Sequence, residues 1–333
     1  MVCPFHTQRT LSGAMNSSNE TSDSISIAVK TSIYLVDFLI TAVWSHAITS
    51  AVQQELELKR ETRYILLCQH LIYSSIYFAL GTVTNGLRLF KVDLPRFICW
   101  ILLPVQITFA QCIMLTLTLM SLNACLAICW PLRYYALVGS PKRKITAIIW
   151  ILAVQNPLWS IVYQSLNVSS AYIIEKDHSC PNPMNGFVSR QIAIAFILLC
   201  FLMIVISYLL IYRAGRQAGH FVSSNIQARN TILIHGSQLS FFILPVLITI
   251  GIGKKPKLTA LNLANTVIFS VAQCLSPVIY GLRCKELRNK LATTKFCCCA
   301  FKHGKKSARA MRLSEVPTIS TVTDTRSSQV CNP

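Results

Sequence analysis

Residues 191–213 read QIAIAFILLCFLMIVISYLLIYR, an apolar run with no charged side chain before Arg213. As a helix rising about 1.5 Å per residue, such a run crosses a hydrocarbon core of roughly 30 Å. Outward from it the pattern repeats. Apolar blocks occupy roughly 27–50, 63–86, 97–128, 145–165, 230–252 and 258–281, with basic residues between them. Blocks of this length are helix-sized. The pattern predicts an all-α membrane protein, a seven-transmembrane helix bundle over 27–282, preceded by a polar N-terminus at 1–26.

Composition agrees with this reading. The 333-residue chain is 53% hydrophobic and 13% charged, against roughly 25% charge in an ordinary soluble domain. Its net charge is +19, from 31 Lys and Arg against 12 Asp and Glu. Most of these cations fall beside alternate loops, as the positive-inside rule describes, rather than on one soluble basic face. The loops at 51–62, 129–144 and 214–229 and the tail beyond 282 are therefore expected in the cytoplasm. Lys254, Lys255 and Lys257 run against that rule. Asn16-Ser17-Ser18 and Asn19-Glu20-Thr21 are glycosylation acceptor patterns, which place the N-terminus outside at a plasma membrane. No charged n-region precedes a cleavable apolar run, so the first span is expected to act as signal anchor. Met15 is an alternative start.

Within the third span, Met120-Ser121-Leu122-Asn123-Ala124-Cys125-Leu126-Ala127-Ile128-Cys129-Trp130-Pro131-Leu132 resembles the end of helix three in olfactory receptors of the rhodopsin-like (class A) family. There the segment reads Met-Ala-Tyr-Asp-Arg-Tyr-Val-Ala-Ile-Cys-x-Pro-Leu. Ser276-Pro277-Val278-Ile279-Tyr280-Gly281-Leu282-Arg283 is similar to that family's Asn-Pro-x-x-Tyr-x-x-Arg, and Ser207-Tyr208 to its helix-five Ser-Tyr. Thr231 to Leu239 resembles the start of helix six in the fish odorant-receptor-like branch. The resemblance implies a rhodopsin-like bundle that senses a small molecule and signals through a heterotrimeric G protein. It also implies activation roles for Asn123, Ala124, Cys125, Tyr208, Ser276, Pro277 and Tyr280. Two departures stand out. Asn123-Ala124-Cys125 replaces the acidic-Arg-Tyr triplet, and Ser74 stands where the family has an Asp, so no carboxylate-dependent sodium site is expected.

The resemblance further implies a disulfide between Cys99 and Cys180, the alternative being two free thiols. Gln106 lies two helical turns beyond Cys99, with Phe109, Ala110 and Ile113 deeper along the same span. These four are the candidate ligand-binding residues. A neutral amide at Gln106 gives a cationic amine no partner, which points to a small neutral ligand. Gln106 as a bond between helices is the other reading. Asp37, the one carboxylate well inside a span, is read as a structural hydrogen-bond acceptor or, alternatively, as part of an ion path. Residues 283–296 form a short basic amphipathic helix eight, and Cys297, Cys298 and Cys299 suit palmitoylation better than metal binding. The tail 297–333 is expected to be disordered.

A transporter or channel would show internal repeats, broken spans or intramembrane charge. An intramembrane enzyme would show paired buried carboxylates or a Ser/His pair. The spans show no internal repeat, no broken pair and, Asp37 aside, almost no charge, which leaves a transporter or channel as the lesser alternative; the enzyme pattern does not occur, and no cofactor or nucleic-acid partner is implied. A rival within the same fold is a weakly coupled or decoy receptor that has lost its helix-three triplet. A homo- or hetero-oligomer is compatible with either.

Overall fold

The computed structural model describes residues 5–130, 134, 142–177, 180, 182–217, 240, 243–245, 247–248 and 259–283. Helix α1 runs Phe5–Gln54, α2 Leu56–Arg60 and α3 Thr62–Leu89. A two-residue strand β1 (Leu94–Pro95) leads into α4 (Arg96–Cys129), and α5 spans Lys142–Asn167. Then come α6 (Ser170–Ile174), β2 (Lys176–Asp177), a 3-10 turn at Pro183–Asn185, α7 (Phe187–Gln217) and α8 (Thr259–Arg283). Among the described residues, five helices are long and apolar enough to cross a membrane: Ser24–Gln54, Thr62–Leu89, Arg96–Cys129, Lys144–Asn167 and Phe187–Gln217. The chain is a helical membrane protein. Most of the expected sixth span, the amphipathic segment 283–296 and the tail with Cys297, Cys298 and Cys299 lie outside the described residues. In α8 a shorter apolar helix, Leu263–Leu275, falls within the expected seventh span.

The first helix starts at Phe5, well before the expected 27. Residues 5–26 contain no proline and a single glycine, Gly13, so nothing in them stops a helix before Pro4. Asn16 and Asn19 thus lie on helical backbone, their side chains outside the description.

The core sits where α3, α4, α5 and α7 meet: Leu66, Tyr73, Cys112, Ile113, Ile149, Ala153, Cys200 and Ile204 form one buried cluster. Leu35, Val36 and Leu39 of α1, like Leu199, Leu202 and Leu209 of α7, are instead exposed, as lipid-facing side chains are. Serine and threonine hydroxyls inside the helices mostly turn back on their own backbone. Thr82 donates to the carbonyl of Phe78, Thr84 to Leu80, Thr108 to Pro104 and Thr118 to Met114, each at 2.8–2.9 Å. Such four-residue back-bonds hide a polar group that hydrocarbon would not solvate.

One end of the bundle is closed by the loop between α5 and α7. Cys180 is disulfide-bonded to Cys99 near the start of α4, with Cα atoms 5.4 Å apart. Arg88, at the end of α3, donates to the Cys180 carbonyl at 2.7 Å. Arg96 bonds Glu175 at 2.5 Å and Asp177 at 3.2 Å, and its guanidinium lies 3.9 Å from the Tyr172 ring centre. Strands β1 and β2 pair antiparallel beside these contacts. Two helices, α3 and α4, thus hold one loop by a covalent bond, a charge-assisted hydrogen bond and an ion-pair cluster.

Helices α1 and α3 approach closely at Gly81. A Cβ there would meet the Tyr34 ring and would stand 2.8 Å from Nε2 of Gln106. Gly81→Val should therefore push α1 away from α3 and lower stability by about 1–3 kcal/mol, the usual cost of overpacking. Thermal unfolding of the detergent-solubilised protein checks this; an unchanged midpoint would show that Tyr34 yields freely.

Candidate functional site

Two aromatic groups position the candidate residues. On one side of α4, Phe109 lies 6.0 Å from Tyr73 of α3 and 5.5 Å from Trp150 of α5, and Tyr73 and Trp150 are 5.8 Å apart. On the other, Tyr34 of α1, Tyr77 and Phe78 of α3 and Phe269 of α8 stack edge to face or tilted at 5.3–6.4 Å. Such geometries suit aromatic quadrupoles. Gln106 is 91% buried, being 9% exposed, and its amide abuts Gly81 beside Tyr34. Ile113 is fully buried in the main core, and Ala110 is half-buried. The structure thus sets Gln106 against α3 and α1, and Phe109 against α3 and α5.

From Gln106 a run of polar groups continues through the α1, α3 and α8 contact. The Tyr34 and Tyr77 hydroxyls are 3.2 Å apart. One turn along α1, Asp37 is only 3% exposed, and its Oδ1 accepts from Ser270 at 2.7 Å and from the Cys274 thiol at 3.1 Å. Oδ2 of Asp37 has no hydrogen-bond partner among the described residues. Gln273, also buried, accepts from Ser74 at 3.3 Å. His70 Nδ1 lies 3.2 Å from Thr116 Oγ1; because that hydroxyl donates to the Ile113 carbonyl at 2.8 Å, the imidazole is the donor. Asn265 donates to the Pro245 carbonyl at 2.7 Å, tying α8 to the next apolar block. Gln106, Ser74 and Asp37 were the residues of this run apparent from sequence. The tyrosines and Gly81 read there as ordinary span residues.

The chemistry open to such a seam is hydrogen bonding. It holds a carboxylate, amides and hydroxyls but no cation, and among the described residues no group of three His, Cys, Asp or Glu could hold a metal.

At the opposite end of α4, Asn123 Oδ1 accepts from the Tyr134 hydroxyl at 3.1 Å, and Tyr134 is itself anchored through its backbone N–H to the Trp130 carbonyl at 3.0 Å. Cys125 is buried and lies 3.8 Å from Cys129, sulfur to sulfur, and Ala124 is half-buried. Tyr208 packs half-buried against the main core. Ser276, Pro277 and Tyr280 lie on α8, but their side chains are outside the description.

No family model matches the chain. Over 257 residues it is 29% identical to Odorant receptor 131-2 of Danio rerio, covering 72% of this chain and 77% of that protein. Over 198 residues it is 25% identical to Probable G-protein coupled receptor 148 of Homo sapiens, covering 56% of each. These relatives support a class A receptor of the fish odorant-receptor-like type.

Asp37 tests the seam. Asp37→Asn retains an acceptor for Ser270, whereas Asp37→Leu leaves Ser270 and Cys274 facing an apolar group. The leucine variant should lose about 1–3 kcal/mol more than the asparagine variant, the cost of buried donors left unmade. Melting curves of both proteins beside the parent decide it; equal loss would mean that the α1–α8 contact does not depend on this acceptor.

Proposed function

We propose that this chain is a chemosensory seven-helix receptor of the plasma membrane, with its N-terminus outside, that binds a small neutral odorant-like ligand in the helical bundle and signals through a heterotrimeric G protein. The observation that carries the reading is the similarity to an odorant receptor across 72% of the chain. Gln106 supports the ligand class, because its neutral amide offers a cationic amine no counter-charge at that depth. In this reading Gln106, Phe109, Ala110 and Ile113 contribute to ligand binding. The disulfide loop then faces outside, Asn16 and Asn19 carry glycans, and Cys297, Cys298 and Cys299 anchor the tail beyond helix eight.

The ligand shifts a two-state bundle, and the inner end opens to recruit the G protein. Asn123, Ala124 and Cys125 would lie there without charge. The Tyr134 hydroxyl on Asn123 fixes one side chain of this triplet to the chain just beyond α4. A receptor with these residues couples by contacts other than an Arg, with Tyr208, Ser276, Pro277 and Tyr280 carrying the helix movement.

Two measurements test the proposal. Gln106→Leu should lower ligand potency at unchanged surface level, and unchanged potency removes Gln106 from the site. The decisive comparison is ligand-free cAMP in cells supplied with an olfactory-type G protein. The natural chain should exceed mock cells and should match the double variant Asn123→Asp, Ala124→Arg within a few-fold. Signalling by the double variant alone would overturn coupling and leave a decoy receptor.

A further inference from the structure

Helices α5 and α7 leave a cleft of about 470 Å³ between them, lined by Gln155, Asn156, Leu158, Trp159, Val162 and Ile192. That volume falls within the roughly 300–1,000 Å³ of small-molecule sites. Leu158 and Trp159 are each 55% exposed, and Gln155 is exposed as well, so the cleft opens sideways from the bundle. Along the apolar span Lys144–Asn167 the two amides sit at the midpoint, roughly 17 Å from either end at 1.5 Å per residue.

An amide facing hydrocarbon at that depth is costly unless something bonds it. Gln155 makes no hydrogen bond among the described residues. Asn156, 6% exposed, accepts at Oδ1 from Ser189 at 3.5 Å, and its Nδ2 has no partner among the described residues. Ser160 lies 2.7 Å from Ser189, so the back wall is already fixed to α7. The concave wall therefore combines apolar side chains with two unmet amide donors.

We propose that this cleft binds a small, neutral, lipid-soluble carbonyl compound that enters sideways from the bilayer. Gln155 donates to its carbonyl oxygen, with Asn156 behind it, and Trp159, Leu158, Val162 and Ile192 hold its apolar body. A sterol or phospholipid does not fit, because its polar group stays at the interface, roughly 17 Å from Gln155. An ionised fatty acid would bring a charge to the middle of the membrane without a counter-ion. The site is separate from the bundle interior and does not rest on the receptor reading.

The test uses the full chain in phosphatidylcholine vesicles with benzophenone, a lipid-soluble ketone, as photoprobe. On near-ultraviolet excitation its carbonyl oxygen takes a hydrogen atom from a nearby C–H, and the two carbon radicals join, leaving a tertiary alcohol on the new bond. The label should concentrate on residues 155–162 and Ile192. Adamantanone should protect at about tenfold lower concentration than adamantane, the difference one hydrogen bond supplies. Gln155→Leu should erase that preference, and Val162→Trp should remove the label with the Cys99–Cys180 disulfide intact. Label spread evenly over α5 and α7, equal protection by the two competitors, or a preference unchanged in Gln155→Leu would overturn the proposal. So would ready disulfide cross-linking of two chains through Gln155→Cys that blocks labelling, which would assign the face to a second copy.

Discussion

Hydrocarbon offers a peptide group no hydrogen-bond partner, and every feature of this bundle follows from that. Backbone donors and acceptors are met inside helices. Buried hydroxyls at Thr82, Thr84, Thr108 and Thr118 return to their own carbonyls. With polarity concealed this way, lateral association falls to shape, which is why a glycine at 81 brings α1 and α3 together and why aromatic rings fill the remaining gaps.

Among the described residues, most polar groups that cross between helices are neutral. Tyr34 meets Tyr77, Ser74 meets Gln273, and His70 meets Thr116. Asp37 is the exception in kind, a carboxylate held by a hydroxyl and a thiol of α8. Ion pairs lie at helix ends: Arg63 with Glu61 at the start of α3, and at the loop end Arg88 and Arg96 bind the segment that Cys180 anchors. Such placement keeps strong but water-sensitive interactions at the margin and leaves the interior to packing.

The apolar runs were readable because span length is set by a single dimension, the membrane's thickness. Described helix ends fall within a few residues of the expected ones except at the start of α1, where the span is expected from 27 but the polar stretch 5–26 is helical and holds no proline. The direction of Gln106 was harder to read. Heptad-like spacing from Cys99 gives the face of α4 that it shares, but which neighbour covers that face depends on Gly81 and Tyr34, far away in sequence. Asn123 presented the same difficulty. Its loss of charge was visible, while its tie to Tyr134 depends on how the chain leaves α4. The amides at 155 and 156 stand midway in an apolar run, a signal open to inspection, but the cleft beside them requires α7.

A hydroxyl bonded to its own helix travels with that helix. Two surfaces built this way can slip past one another without a hydrogen bond being broken, so the friction between them is that of methyl groups and rings. The crosswise pairs, among them Tyr34 with Tyr77 and Asp37 with Ser270, then act as detents in an otherwise smooth bearing.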